Sequence, residues 1–119
     1  MYFFDTYAFI EIIRGNPDYS AFVKTEFATT KLNLMEVYYW LLNKFGKKAA
    51  DKFYDETVSY TIEISDEIIK EAMAFRIQNK QKNLSYADCI GYVLTKANSL
   101  RFLTGDVQFE SVDNVEFVK

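Results

Sequence analysis

Tyr2-Phe3-Phe4-Asp5-Thr6-Tyr7-Ala8-Phe9-Ile10-Glu11-Ile12-Ile13-Arg14-Gly15 stands at the head of the chain and sets the pattern for the rest. Tyr2 to Phe4 is a short apolar run, the mark of a buried strand, and Asp5 ends it. Thr6 to Arg14 reads as a helix, with Phe9, Ile10 and Ile13 on one side and Gly15 as its left-handed stop. Strand, acid, helix is thus the first unit. Working outward, Asn16 caps and Pro17 starts a further short helix. Phe27 to Thr30 reads as a second strand, and Asn33 opens an apolar helix from Leu34 to Phe45 that Gly46 stops. Lys47 to Val58 is amphipathic, with Ala49, Ala50, Phe53 and Tyr54 facing inward.

Tyr60-Thr61-Ile62-Glu63-Ile64 alternates and reads as another strand. Ser65 caps the next helix, whose apolar line is Ile69, Met73 and Ile77, and the polar stretch Gln78 to Asn83 ends it. Ser85 to Asn98 is helical, Arg101 to Thr104 is a strand, Gly105-Asp106 is a turn, and Val115 to Val118 is the last strand. Strands separated by helices call for a mostly parallel sheet covered on both faces. The expectation is therefore an α/β fold, a three-layer α/β/α sandwich. Neither a linker nor a repeat divides the 119 residues, so one domain spanning 1–119 is expected.

Composition removes many functions. The chain has no histidine, which excludes Ser-His-Asp and Cys-His nucleophile systems, histidine bases and His-ligated zinc. One cysteine, Cys89, forms no internal disulfide and fits a reducing cytosol. Met1 to Asp5 lacks the basic start of a signal peptide, and no apolar run nears the roughly 18 residues of a membrane span. A soluble cytoplasmic protein, with no membrane partner, is expected. Chemistry falls to carboxylates, hydroxyls, lysines or a metal held by oxygen.

Four acids occupy equivalent places: Asp5 after strand one, Glu36 and Asp88 in first helical turns, and Asp106 after the Arg101–Thr104 strand. In a parallel sheet those places gather on the carboxyl edge, where open α/β folds bind ligands. Each acid also has a purely structural account. Asp5 caps a helix, Asn33-x-x-Glu36 and Ser85-x-x-Asp88 match capping boxes, and Asp106 belongs to a turn. If they converge, two carboxylates about 5 Å apart repel by roughly 3 kcal/mol at an effective dielectric near 20. Such a cluster holds protons or binds cations, and oxygen-only ligands favour Mg²⁺ or Mn²⁺. Setting the four aside, 17 less 4 leaves 13 acids against 14 bases, so the formal charge of −3 lies in this cluster.

Phe3-Phe4-Asp5-Thr6, Asn33-Leu34-Met35-Glu36-Val37, Leu84-Ser85-Tyr86-Ala87-Asp88-Cys89-Ile90 and Phe102-Leu103-Thr104-Gly105-Asp106 follow one another along the whole chain. In order and spacing they resemble the PIN-domain ribonucleases, most closely the small VapC-type toxins of toxin–antitoxin pairs. The resemblance implies a PIN-like fold and a Mg²⁺- or Mn²⁺-dependent endoribonuclease. Asp5, Glu36, Asp88 and Asp106 match the family's acidic, metal-binding and catalytic quartet. Thr6 and Thr104 match its supporting hydroxyls, and Asp88 is preferred over Asp106 for taking a proton. Gln108 departs from the pattern, which often carries a second Asp there. RNA, a cognate antitoxin and a second copy of the chain are the implied partners.

Lys31 is the preferred phosphate contact among Arg14, Lys24, Lys31, Lys44, Lys47 and Lys48, and Tyr7 and Tyr86 are candidate stacking residues. The helix Leu34–Phe45 is apolar nearly all round, which fits either core burial or an aromatic strip for a partner. An aspartyl-phosphate phosphatase needs a second acid where Tyr7 stands, and a phospho-receiver needs an acidic pair that is missing. The remaining alternative is a catalytically inactive PIN-like RNA-binding or scaffold domain.

Overall fold

A computed structural model describes residues 1–119. Its elements are β1 (Tyr2–Phe4), α1 (Thr6–Ile13), a 3₁₀ segment (Pro17–Phe22), β2 (Phe27–Ala28), α2 (Lys31–Phe45) and α3 (Lys47–Thr57). Then come α4 (Asp66–Gln78), α5 (Tyr86–Ala97), β3 (Arg101–Thr104) and β4 (Val115–Phe117), with 3₁₀ turns at Val58–Tyr60 and Val107–Phe109. The four strands form one wholly parallel sheet in the order β2-β1-β3-β4. Phe3 pairs with Phe102 and Phe4 with Leu103 across the β1–β3 ladder.

The pleat sends neighbouring side chains to opposite faces, and this builds two cores. Phe3 and Phe102 point to a cluster with Ile68, Ala72, Ile90, Tyr92 and Phe109, under α4 and α5. Phe4 and Leu103 point to another with Ala8, Phe9, Tyr19, Val37 and Ala50, under α1, α2 and α3. Phe3 and Phe102 stack at 5.6 Å, and Phe4 stacks on Phe27 at 4.7 Å. The layered α/β/α arrangement expected from the sequence is present. Gly46 joins α2 to α3 at φ +92°, ψ 179°, a backbone state open in practice to glycine alone, and turns α3 back onto α2.

Local chemistry displaces several expected boundaries. Residues 60–64 form no strand. Thr61 donates its hydroxyl to the Val58 carbonyl (2.8 Å), the chain turns there, and one parallel bridge, Thr29 to Thr61, remains. The strand expected over 27–30 is ordered as strand at Phe27–Ala28 only. The helix opens at Lys31, with Thr30 as its cap in place of Asn33: the Thr30 oxygen accepts the Asn33 amide (3.3 Å). In α4, Ile68 and Ala72 are the buried pair, and of the expected line only Met73 packs against the core, while Ile69 and Ile77 face outward. Cys89 is a fully buried free thiol in the α5 core, pushed up to about 11 chiefly by that burial.

Candidate active site

Because all four strands run the same way, β1 and β3 end side by side at one edge. The connection after β1 runs outward to β2 and the one after β3 runs the other way to β4, so β1 and β3 flank the switch point at which open α/β sheets bind ligands. Asp5 ends β1, Asp106 follows β3, and the first turn of α5 brings Asp88 over the same edge. Glu36, expected in a first turn, stands in the second turn of α2 because that helix opens at Lys31. All four carboxylates line a single open cleft of about 680 Å³, walled by Thr6, Tyr7, Ile10, Met35, Tyr39 and Ser85. The four acids gather there.

Asp5 is buried to 3% exposure. One oxygen accepts the Thr6 amide (2.8 Å), capping α1, and the other accepts the Thr104 hydroxyl (2.7 Å). Thr104 in turn accepts the Asp106 amide (3.1 Å), so one buried hydroxyl ties two of the acids together. Asp106 also caps its own turn, accepting the Gln108 amide (3.0 Å). The Gln108 side chain accepts the Asn83 amide (3.1 Å) and clasps the segment ahead of α5, a structural task at the position where the family pattern often has an acid.

Glu36 is set by a longer chain of polar groups. Thr30 donates to the Asn33 amide oxygen (2.7 Å), Asn33 donates to the Thr6 hydroxyl (3.1 Å), and Thr6 donates to Glu36 (2.5 Å). Asn33 is buried to 1%. It is a positioning residue that sequence reading assigned to a helix cap. Its signal was a polar side chain one turn before Glu36 within an apolar stretch. Asp88 completes a true capping box: it accepts the Ser85 amide (2.8 Å), and Ser85 accepts the Asp88 amide (3.1 Å). The structural and functional accounts of these acids therefore hold together at Asp5, Asp88 and Asp106, each of which caps a helical turn and still faces the cleft.

Electrostatics marks the cleft as strained. Asp5 is raised to about 7, first by burial and then by the charge of Asp88, with Glu36 adding to it; the Thr104 and Thr6 bonds oppose the rise. Asp88 is also raised, by burial first and further by Asp106 and Glu36, against its two Ser85 bonds. Burial and facing like charges each disfavour the ionised carboxylate and act here in the same direction. The donor set, oxygen only, suits a hard divalent cation. No three of the carboxylates stand close enough together to share one ion.

None of the six basic residues considered from sequence lines the cleft. Lys31 borders an adjoining hollow that shares Met35 with it. Lys47 pairs with Asp51, and Arg14 pairs with Glu11 and lies over Trp40. On α2, Met35, Tyr39, Leu42 and Phe45 are exposed while Leu34, Val37 and Leu41 are buried, so the helix is both core and open apolar strip. No helix is long and apolar enough to cross a membrane.

The sequence profile of the PIN domain matches residues 2–115. No curated protein matches the chain. Among solved structures, that of the Mycobacterium tuberculosis toxin VapC20, described as cleaving the sarcin–ricin loop, superposes with a TM-score of 0.83 at 15% identity, covering 100% of both chains. A toxin–antitoxin complex from Klebsiella pneumoniae gives 0.79 at 19% identity, over 98% of this chain and 96% of that one. VapBC2 from Rickettsia felis, bound to a promoter DNA fragment, gives 0.72 at 18% identity, over 99% and 98%.

Proposed function

This chain belongs to the PIN-domain family, and from that premise we propose that it is a Mg²⁺- or Mn²⁺-dependent endoribonuclease, the toxin of a toxin–antitoxin pair. The observation that carries the reading is the convergence of Asp5, Glu36, Asp88 and Asp106 on one cleft, with Asp5 raised to about 7 by burial and by its neighbours' charge. Residues 1–119 act as one PIN-like unit in the cytoplasm. A cognate antitoxin and a second copy of the chain are its protein partners, and the exposed α2 strip offers them apolar surface.

Asp5, Glu36, Asp88 and Asp106 are the residues that would hold a divalent cation, whose chemistry there would be to lower the pKa of a bound water and offset charge on the scissile phosphate. Thr104 orients Asp5 and the Asp106 backbone, and Thr6 orients Glu36. Asp88, half-buried and raised in pKa, accepts the proton of the attacking water. Lys31 reaches substrate phosphate from the adjoining hollow.

Labelled single-stranded RNA incubated with the purified protein tests this. Cleavage is expected with Mg²⁺ or Mn²⁺, none with EDTA, and none with Asp88→Asn purified identically. Cleavage that persists in EDTA overturns metal dependence. No cleavage together with no cation binding by calorimetry makes the chain an inactive RNA-binding or scaffold domain.

Thr6→Val removes the hydroxyl between Asn33 and Glu36 but keeps the Thr6 amide on Asp5. Loss of such an outer support typically costs 10- to 100-fold in metal affinity or activity. We expect the Mg²⁺ concentration for half-maximal cleavage to rise by about that factor, and Thr6→Ser to restore it. An unchanged metal titration in Thr6→Val would show that Glu36 is placed without the hydroxyl.

A further inference from the structure

A second hollow, of about 460 Å³, lies beside the cleft and is lined by Met73, Arg76, Ile77, Lys80, Lys82 and Tyr86. Three of these are cations and none is an acid. The ion pairs of the protein engage Arg14, Lys47, Lys96 and Arg101, so Arg76, Lys80 and Lys82 have no carboxylate within salt-bridge distance. In a chain of formal charge −3, three unneutralised cations in one hollow are concentrated against the overall balance.

The apolar residues here are also out of place for a core. Ile77 is 65% exposed and Tyr86 62% exposed. Tyr86 is held in position: the Arg76 guanidinium lies over its ring at 4.7 Å, and the Arg76 Nε donates to the Leu84 carbonyl (3.1 Å). Tyr86 is the first residue of α5, next to Ser85 and two residues from Asp88, both of which line the cleft. The hollow and the cleft therefore both reach the start of α5, one at Tyr86 and the other at Ser85 and Asp88.

We propose that the Arg76–Lys80–Lys82 hollow is the track along which single-stranded RNA runs as it leaves the acidic cleft, with phosphates on the three cations and a base stacked on Tyr86. The inference rests on the nuclease reading and deepens it by naming where the strand lies. Charge sign selects a polyanion, and exposed rings and methyls among the cations select unpaired bases over a closed duplex. Continuity with a cleft built to hold a cation selects nucleic acid over an acidic protein segment, since the same strand then meets the cation with its next phosphate.

The test measures binding of a 5′-labelled 12-nucleotide single-stranded RNA by anisotropy, in Asp5→Asn protein with Mg²⁺, from 50 to 200 mM KCl. Each single-strand phosphate contact adds about 0.7 to the slope of log K against log salt. Arg76→Gln/Lys80→Gln/Lys82→Gln should make that slope shallower by about 2. Tyr86→Leu should weaken binding by about 5- to 100-fold with the slope unchanged, and Tyr86→Phe should bind as its parent does. Lys44→Gln/Lys48→Gln/Lys52→Gln, at the far end of α2 and on α3, should alter the slope by less than about 0.5.

Equal losses in both triple variants, or none in the first, overturn the track. So does polyglutamate binding the hollow more tightly than RNA, which would make an acidic protein segment its occupant. If the otherwise unmodified protein cuts no RNA and binds no cation yet the Arg76 triple variant still loses the slope, the nuclease reading fails and the track stands. If it cuts RNA and the variants bind unchanged, the track alone fails.

Discussion

Asp5→Asn is expected to abolish cleavage, by on the order of 10³-fold or more, while making the metal-free protein more stable at pH 8. Asp5 is raised in the fold from 3.8 to about 7, mainly by burial and then by Asp88. The folded state thus holds that proton more tightly than the unfolded chain does. Its contribution to stability is complete below about pH 4, is lost as pH rises towards 7, and is absent above it. That rise corresponds to roughly 4 kcal/mol, and Asp88, raised in the same sense, adds to the slope.

Asparagine removes the buried charge but gives up charge-assisted bonds from the Thr6 amide and the Thr104 hydroxyl, so a net gain of about 2 kcal/mol at pH 8 is expected. In a chain of this size that is about 8 °C in Tm. Near pH 4.5 the two proteins should melt within about 2 °C of each other. Millimolar Mg²⁺ should raise the Tm of the unsubstituted protein and leave Asp5→Asn nearly unmoved. Melting curves across pH, with and without Mg²⁺, decide it. A variant less stable at pH 8 would make Asp5 a helix cap first and a ligand second.

Gly105→Ala should be the most damaging single methyl group in the protein. A Cβ there would lie 2.3 Å from the Tyr7 ring and 2.3 Å from the Val118 carbonyl oxygen. The ring can turn, but the carbonyl belongs to the last stretch of backbone, fixed by the Val118 amide on the Thr104 carbonyl (2.9 Å) and by the Tyr19 hydroxyl on Val118 itself. Overpacking of this kind costs about 3 kcal/mol, or about 12 °C in Tm. Because Gly105 separates Thr104 from Asp106, activity should fall with stability. Gly15→Ala is the contrast. Gly15 has φ +76° and nothing within 4 Å, so it should lose only the backbone cost of about 1 kcal/mol. If both variants melt alike by denaturant and heat, the close approach of Val118 to Gly105 does not limit the fold.

Much of this was legible because the deciding signals are local. Phe3 and Phe4, or Phe102 and Leu103, read as strand whatever surrounds them, and parallel order then carries Asp5 and Asp106 to one edge. Residues 60–64 were misread because alternation reports what a segment can pair with, not whether a turn competes for its backbone, as the Thr61–Val58 bond does. The inward face of α4 is set by its packing against α5, where Ile68 and Ala72 share a core with Ile90 and Val93, a property of two helices together. Asn33 and Thr6 act through bonds between α1 and α2, and Arg76 meets Tyr86 across ten residues of chain. Such pairings are written in three dimensions, so no spacing rule along one element reveals them.

The lone thiol of Cys89 has a use of its own. It is sealed in the α5 core, one residue from Asp88, and its raised pKa leaves almost no thiolate at neutral pH. A disulfide-exchange dye can therefore reach it only when the packing around α5 comes apart, and the rate of colour change counts those openings. The molecule carries its own clock for breathing next to the cleft, read without introducing a new cysteine. Slowing of that clock by Mg²⁺ would report, in seconds, how far an ion at the acids steadies the helix behind them.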